Sequence, residues 1–260
     1  MKVLTATLAC GAVSLAAADA GAEALALRYD VYAGGTHAVA IEAELEMAQG
    51  SYRVGTALEL VGMYALVADW TMAATARGGL TPAGVVPTAF SKVSEGGERW
   101  AEISYADGVI ANAQGNPSPS GEDTSMVPDA IKAAAIDPLS GAVAMLNQVA
   151  SAGTCGGVTH LYDGKTYFTV TATDLGRATA PESRLGVYSG PAVMCRVVVD
   201  DDGPYGRPDR DVQTADVWIA QPMPGGPAVL VRLETMTRYG AVRMHLADFW
   251  PVASETARVE

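Results

Sequence analysis

The chain has 260 residues of which 49% are hydrophobic, enough to bury a core and too many for an intrinsically disordered protein. Lys and Arg total 17 against 29 Asp and Glu, a formal charge of -12. That balance excludes nucleic acid and anionic lipid headgroups as partners drawn in by charge.

The first residues read as a targeting segment. Lys2 gives a positive start, and Val3 to Ala18 is an uncharged run of small and apolar residues, the pattern of a secretory signal. Ala22-Glu23-Ala24 and Ala18-Asp19-Ala20 are both small-x-small cleavage signatures. The first sets the expected signal at 1–24, with Ala20 as the alternative end, and leaves 25–260 as a single β-rich domain. Cys10 lacks the aliphatic residue expected three positions before a lipidated cysteine. No later stretch holds the roughly 18 uninterrupted apolar residues that a spanning helix needs, so no transmembrane anchor is expected.

From there the pattern alternates. Leu27 to Ala33 reads as a first strand, and Gly34-Gly35 as a turn. His37 to Met47 puts Val39, Ile41, Ala43, Leu45 and Met47 on one face and Glu42, Glu44 and Glu46 on the other, a half-buried strand. A turn at Gln49-Gly50-Ser51 leads to Tyr52 to Val61, and Val67 to Ala76 follows as the next strand. Pro82, Gly84 and Pro87 hold off the following strand until Thr88 to Val93. Arg99 to Tyr105 and Val109 to Ala113 flank Asp107-Gly108, a hairpin signal. Asn116 to Val127, rich in Pro, Ser and Gly, reads as a surface loop.

A short helical turn over Asp129 to Ala135 precedes the one strong helix. Asp137 is a good N-cap and Pro138 suits the first helical position, where a missing N–H costs nothing. Leu139, Ala142, Val143, Leu146, Val149 and Ala150 then recur on one face of a 3.6-residue period. After it come expected strands at Val158 to Tyr162, Lys165 to Thr173, Leu185 to Ser189, Ala192 to Val199, Ala215 to Ala220, Ala228 to Tyr239 and Val242 to Phe249. Gly176 to Ser183 reads as a polar link. One helix among about a dozen strands predicts a mainly β fold: a curved antiparallel sheet, half-barrel or clam-like, wrapped around a central α-helix.

Removing the signal leaves two cysteines, Cys155 and Cys195, and an even pair in an exported chain reads as one disulfide. Closing that loop of roughly forty residues is worth about 4 kcal/mol on the chain-entropy estimate. Neither cysteine has a second Cys or His at ligand spacing, so no metal site and no cofactor are expected. Asp200-Asp201-Asp202 could offer oxygen ligands to calcium, but consecutive spacing favours a solvated turn. His37, His160 and His245 each stand alone on strands, and no nucleophile elbow, zinc-protease helix, phosphate loop or dinucleotide fingerprint is present. The expectation is therefore not an enzyme. A hydrolase would need a polar cluster around one of the histidines.

The residues that could line a ligand groove between sheet and helix are Trp70, Met72, Leu139, Val143, Met145, Leu146, Met236 and Met244. Flexible methionines accommodate irregular apolar ligands, though the same residues equally fill a core. A lipid or other apolar small molecule is the ligand such a groove would take.

Several landmarks occur together and in order: Leu27-Arg28-Tyr29-Asp30-Val31-Tyr32-Ala33-Gly34-Gly35, Gly84-Val85-Val86-Pro87-Thr88-Ala89-Phe90, Asp137-Pro138-Leu139-Ser140, Cys155, Tyr162-Asp163-Gly164-Lys165, Cys195 and Val217-Trp218-Ile219. With this arrangement the chain resembles the exported proteobacterial proteins grouped as domain of unknown function 3108. The resemblance implies a β-rich protein of the cell envelope, located in the periplasm, and carries over no catalytic residue. It leaves two functional expectations: a noncatalytic envelope protein holding an apolar ligand, or a structural or interaction protein with a filled core and envelope proteins as partners.

Overall fold

The computed structural model describes residues 23–48, 50–94, 98–116, 127–200, 213–238 and 240–253. Within them thirteen strands make one antiparallel sheet: β1 (Glu23–Ala33), β2 (Thr36–Ala48), β3 (Ser51–Leu60), β4 (Thr71–Thr81), β5 (Gly84–Ser94), β6 (Arg99–Ala106), β7 (Val109–Gly115), β8 (Gly157–Tyr162), β9 (Tyr167–Ala180), β10 (Gly190–Asp200), β11 (Gln213–Ala220), β12 (Val229–Thr237) and β13 (Gly240–Ala253). Their spatial order is β7-β6-β5-β4-β3-β2-β1-β13-β12-β11-β10-β9-β8. Every spatial neighbour is also a sequence neighbour except at one seam, where β1 pairs with β13. The chain thus starts mid-sheet, meanders out to one edge, crosses through a helical segment to the other edge, and meanders back.

Register explains the core. Leu25, Leu45, Val54, Ala76, Phe90 and Ile103 form one cross-strand row from β1 to β6, and all are buried. Side chains alternate between faces, so Glu42, Glu44 and Glu46 of β2 fall on the other side from Leu45. Pro87 lies inside β5, earlier than the expected start at Thr88. A bulge between Arg77 and Gly78 accepts it, since the pairing shifts where proline offers no N–H. A Cβ on Gly78 would stand 2.4 Å from the Val86 carbonyl and 2.8 Å from the Tyr52 ring, so only glycine fits there.

The helical segment holds α1 (Asp129–Lys132) and α2 (Pro138–Ala152). Asp137 is the N-cap as expected, and Gly153 ends α2 in the left-handed region at φ 69°. The helix lies against β3, β4, β5 and β8. Val143 is buried, with Leu139 and Leu146 packed in the same cluster as the β1–β6 row. Met145 and Val149 pack with Val193, Cys195, Val217 and Ile219 in a second cluster. Just before α2, Ile136 bridges β8 in parallel, donating to His160 O at 3.0 Å and accepting from Tyr162 N at 2.9 Å.

Strands near one end of the order meet the turn at the other. Lys92 of β5 reaches Asp163 in the β8–β9 turn at 2.7 Å, and a Cβ on Gly164 would come within 2.4 Å of the Ala101 Cβ of β6. The sheet therefore curls into a half-barrel-like form.

Four local expectations are corrected. Val67 to Trp70 is not strand: Tyr64–Leu66 is a 3-10 turn and β4 begins at Thr71, because the run Val61 to Ala68 has no alternation to pair. Gly176 to Ala180 is not a link but the end of β9, where a bulge opposite Met194 and Cys195 absorbs the irregular glycine. Leu185 to Ser189 forms no strand and lies over β13, with Val187 N donating to Leu246 O at 2.9 Å. The first strand starts at Glu23, four residues before Leu27. Most of the Asn116 to Val127 loop, and Asp201 and Asp202, lie outside the described residues; Asp200 ends β10.

Candidate functional site

Helix α2 is tied at both ends. At its N-terminus Asp137 and Ser140 are fully buried. Asp137 Oδ1 accepts from Ser140 N at 2.8 Å, and Oδ2 accepts from Ser140 Oγ at 2.6 Å and Tyr105 OH at 3.1 Å. The serine proton is thereby committed to the carboxylate, so Tyr52 donates to Ser140 Oγ at 2.6 Å. The chain of donors joins β3, α2 and β6 through groups that would be costly to bury alone. Burial pushes the Asp137 carboxyl above its ordinary range, against the pull of its three donors. Burial also raises Tyr52 to about 12 and lifts Tyr105 further, helped by the Asp137 charge, so both phenols remain donors. At the other end, the Cys155–Cys195 disulfide joins the segment after α2 to β10.

The expected groove residues divide. Leu139, Val143, Leu146 and Met244 pack in the first cluster and Met145 in the second. Trp70 sits at the base of the β3–β4 loop, accepting from Leu60 N at 3.2 Å through its backbone. Met72, second in β4, lies beside an open groove shared with Arg28, Glu42 and Glu59. Met236 is 76% exposed, in a second groove with Arg196, Asp216 and Arg243. Four of the eight therefore lie on α2 as packed core, Met244 packs in the first cluster from β13, and Trp70, Met72 and Met236 lie elsewhere.

The sheet face opposite α2 carries a polar cluster that the sequence did not reveal. Register sets Asp30, His245, Arg232 and Trp218 side by side across β1, β13, β12 and β11. The next row holds Tyr32, Arg243, Glu234, Asp216 and Arg196. Arg232 donates to Glu234 through Nε at 2.8 Å and through Nη2, and its guanidinium lies 5.9 Å from the Trp218 ring centre. Arg196 grips Asp216 at 2.8 and 3.0 Å. Tyr32 stacks on His37 at 5.0 Å and meets His245 edge-on at 6.1 Å. His37 Nε2 is 3.4 Å from Asp30 Oδ1.

Among the described residues, the buried side-chain nitrogens without a hydrogen-bond partner are His37 Nε2, Arg232 Nη1 and His245 Nε2, all in this cluster. His245 is 3% exposed, and Gly186 lies against its ring. Burial lowers its pKa, the Arg232 and Arg243 charges lower it further, and Glu234 and Asp30 oppose them. The available signal was polar residues two apart within apolar strands, Asp30 with Tyr32, Arg232 with Glu234 and Arg243 with His245; only register shows that they meet. His160 stands apart, stacked on Tyr167 at 5.8 Å and bonded to Thr169 Oγ1 at 3.3 Å.

The fold and its packed helix define a half-barrel-like β protein, two antiparallel meanders joined in one sheet at the β1–β13 seam. The chain belongs to the family described as "Protein of unknown function (DUF3108)", which it matches over residues 28–247. Among solved structures it is similar to a β-barrel-like protein of the domain of unknown function DUF1849 from Brucella abortus, at 11% identity and a TM-score of 0.48, covering 89% of this chain and 98% of that one. It is also similar to the "putative lipoprotein" of Parabacteroides distasonis, at 10% identity and a TM-score of 0.33, covering 88% and 95%. No curated protein matches it.

Proposed function

We propose that this is a noncatalytic, exported protein of the cell envelope, working in the periplasm, whose half-barrel is wrapped around α2 and whose partners meet its outside. The observation that carries the reading is the double attachment of α2, by the Asp137 network at one end and the disulfide at the other. A lid over an apolar groove has to move, and a helix held by a buried polar network and a covalent bond moves at high cost. The core-filling role of Leu139, Val143, Met145 and Leu146 supports the same reading.

Export is supported by the disulfide, which persists in an oxidising compartment. Within that reading, cleavage after Ala20 fits better than after Ala24, because Ala24 is buried inside β1 and paired with Glu46 and Val252. A noncatalytic role is supported by the burial of two of the groups that could do chemistry: Ser140 Oγ beside Asp137 and His245 beside Arg232 are both closed to substrate.

Native mass spectrometry of protein purified from its cells, combined with amide exchange, tests this. The expected result is an unliganded mass and slow exchange along α2. A retained lipid-sized adduct with fast exchange in α2 would return the helix to the role of a lid.

A further inference from the structure

We infer that residues 181–189 are a pH-gated strap, held against His245 while its ring is neutral and released when the ring takes a proton. The sheet is forked at this point. β12 and β13 pair from Thr237 with Gly240 to Arg232 with His245, and there the ladder stops. Beyond it β12 stays with β11, through Ile219 with Leu230 and Ala220 with Val229, while β13 follows β1 from Leu246 onward. Arg232 and His245 are the last rung before the fork. It is at this rung that Arg232 Nη1 and His245 Nε2 are buried without a partner.

The strap closes the fork. It is the loop of the β9–β10 hairpin, and its two ends are fixed because Ala180 pairs with Gly190. Gly186 lies so close to the rung that a Cβ on it would stand 3.3 Å from Leu246 O, 3.4 Å from His245 Cβ and 3.6 Å from His245 Nδ1. Among the described residues one backbone bond joins the loop to the sheet, Val187 N to Leu246 O at 2.9 Å. The neighbouring donors turn inward instead, Gly186 N to Ser183 O and Leu185 N to Ser183 Oγ. Tyr188 packs on the core, but Leu185 and Val187 are 42% and 54% exposed. A loop with so few ties, swinging on a paired base, opens at far lower cost than the sheet beside it.

Charge at the rung is what moves it. A neutral imidazole can sit in a dry site, but an imidazolium has two N–H donors and a charge to satisfy. The closed rung offers it little: Arg232 stands directly across, and Glu234 is already engaged by Arg232 through Nε and Nη2. Arg243 on β13 is a second cation near the ring, and Asp30 on β1 is the other opposing carboxylate. His37 on β2 reaches the ring only through Tyr32, which it stacks on. The strap itself brings a glycine, with its charges Glu182 and Arg184 exposed to solvent. Burial first and Arg232 next hold the His245 pKa below its ordinary value, so a ring that water can reach binds the proton more readily than the covered one. Proton uptake therefore favours release. Release uncovers the edge of β13 beyond the fork.

Exchange of the Val187 amide, corrected for its intrinsic rate, tests the inference between about pH 7.5 and about pH 5. Protection is expected to be level above 6.5 and to fall below it by up to about tenfold per pH unit, the dependence of one linked proton. Dilute urea should speed the β2 amides and leave Val187 unchanged, which separates release of the loop from unfolding of the sheet. In His245→Gln the fall with pH should disappear. Arg243→Gln, at a side chain 53% exposed, takes away one charge that opposes the proton, so its fall should be smaller than in wild type. That variant keeps the test decisive if buried position 245 does not accept glutamine. The inference is overturned by Val187 protection that stays level in wild type, by a fall of the same size in either variant, or by Val187 exchange that follows the β2 amides in urea.

Discussion

Asp137 shows how much one side chain can hold. It caps α2, orients Ser140 and through it Tyr52, and receives Tyr105, all without access to solvent. Asp137→Ala removes the cap, worth about 1 kcal/mol, and strands buried hydroxyl donors at about 1–3 kcal/mol each. The expected loss in urea unfolding is about 3 kcal/mol. Asp137→Asn keeps one acceptor for Ser140 N and relieves a carboxylate whose charge burial already disfavours, so it should lose about half as much. His245 works in the other direction. Its folded pKa lies below the ordinary 6.5, so the unfolded chain binds the proton more readily. Its contribution is complete above 6.5 and is lost as pH falls from there toward the folded value. Arg232, Glu234, Arg243 and Asp30 all act on this ring, and His37 shares Tyr32 with it. His245→Gln should therefore flatten the stability profile just below pH 6.5 while leaving the profile above it parallel to wild type. Unfolding midpoints measured across that range decide it, and an unchanged acid slope would place the sensitivity on another group.

At the scale of elements, α2 was the most legible part of the chain, because its signals are local. Asp137-Pro138 marks its start, Gly153 its end, and a 3.6-residue period its buried face. The hairpins were legible for the same reason: Gly34-Gly35 and Asp107-Gly108 carry the positive φ that tight turns need. The errors came where geometry is set from outside the segment. Pro87 sits in a strand because Gly78 across the sheet makes room for it, and Leu185 to Ser189 is no strand because it lies over β13 instead of pairing. The polar cluster was invisible because β1, β2, β12 and β13 bring it together from opposite ends of the chain. The disulfide was legible as a pair, but its purpose was not: Cys195 lies in the cluster that holds Val149, so it secures the C-terminal half of α2. Replacing both cysteines by serine should lower stability by about 4 kcal/mol on the chain-entropy estimate and quicken amide exchange in α2 C-terminal to Leu146. The N-terminal turn, held by Asp137, should keep its protection; equal acceleration at both ends would show that the polar network is not an independent anchor.

For the molecule as a whole, the decisive pairing is the seam of β1 with β13, which no local signal announces. It makes the first described strand a central one, flanked by β2 and β13 along its length. Such a pairing joins residues more than 200 positions apart, as Leu25 with Pro251, so it carries a high loop-closure cost. The start of β1 then matters to the whole sheet. Glu23 pairs with Met47 and Ala253, and Ala24 with Glu46 and Val252, so both neighbours lose partners if these two residues are removed. Each backbone hydrogen bond contributes about 1 kcal/mol net, and Ala24 is 2% exposed, so a chain beginning at Leu25 should be less stable than one beginning at Gly21 by about 2 kcal/mol. Intact mass of the exported protein should accordingly give Gly21 as its first residue, and urea unfolding of the two purified forms should give the shorter one the lower midpoint. If the exported protein instead begins at Leu25 and the two midpoints coincide, the first turn of pairing is dispensable and the seam is secured further along, where Leu27 meets Phe249 and Tyr29 meets Leu246.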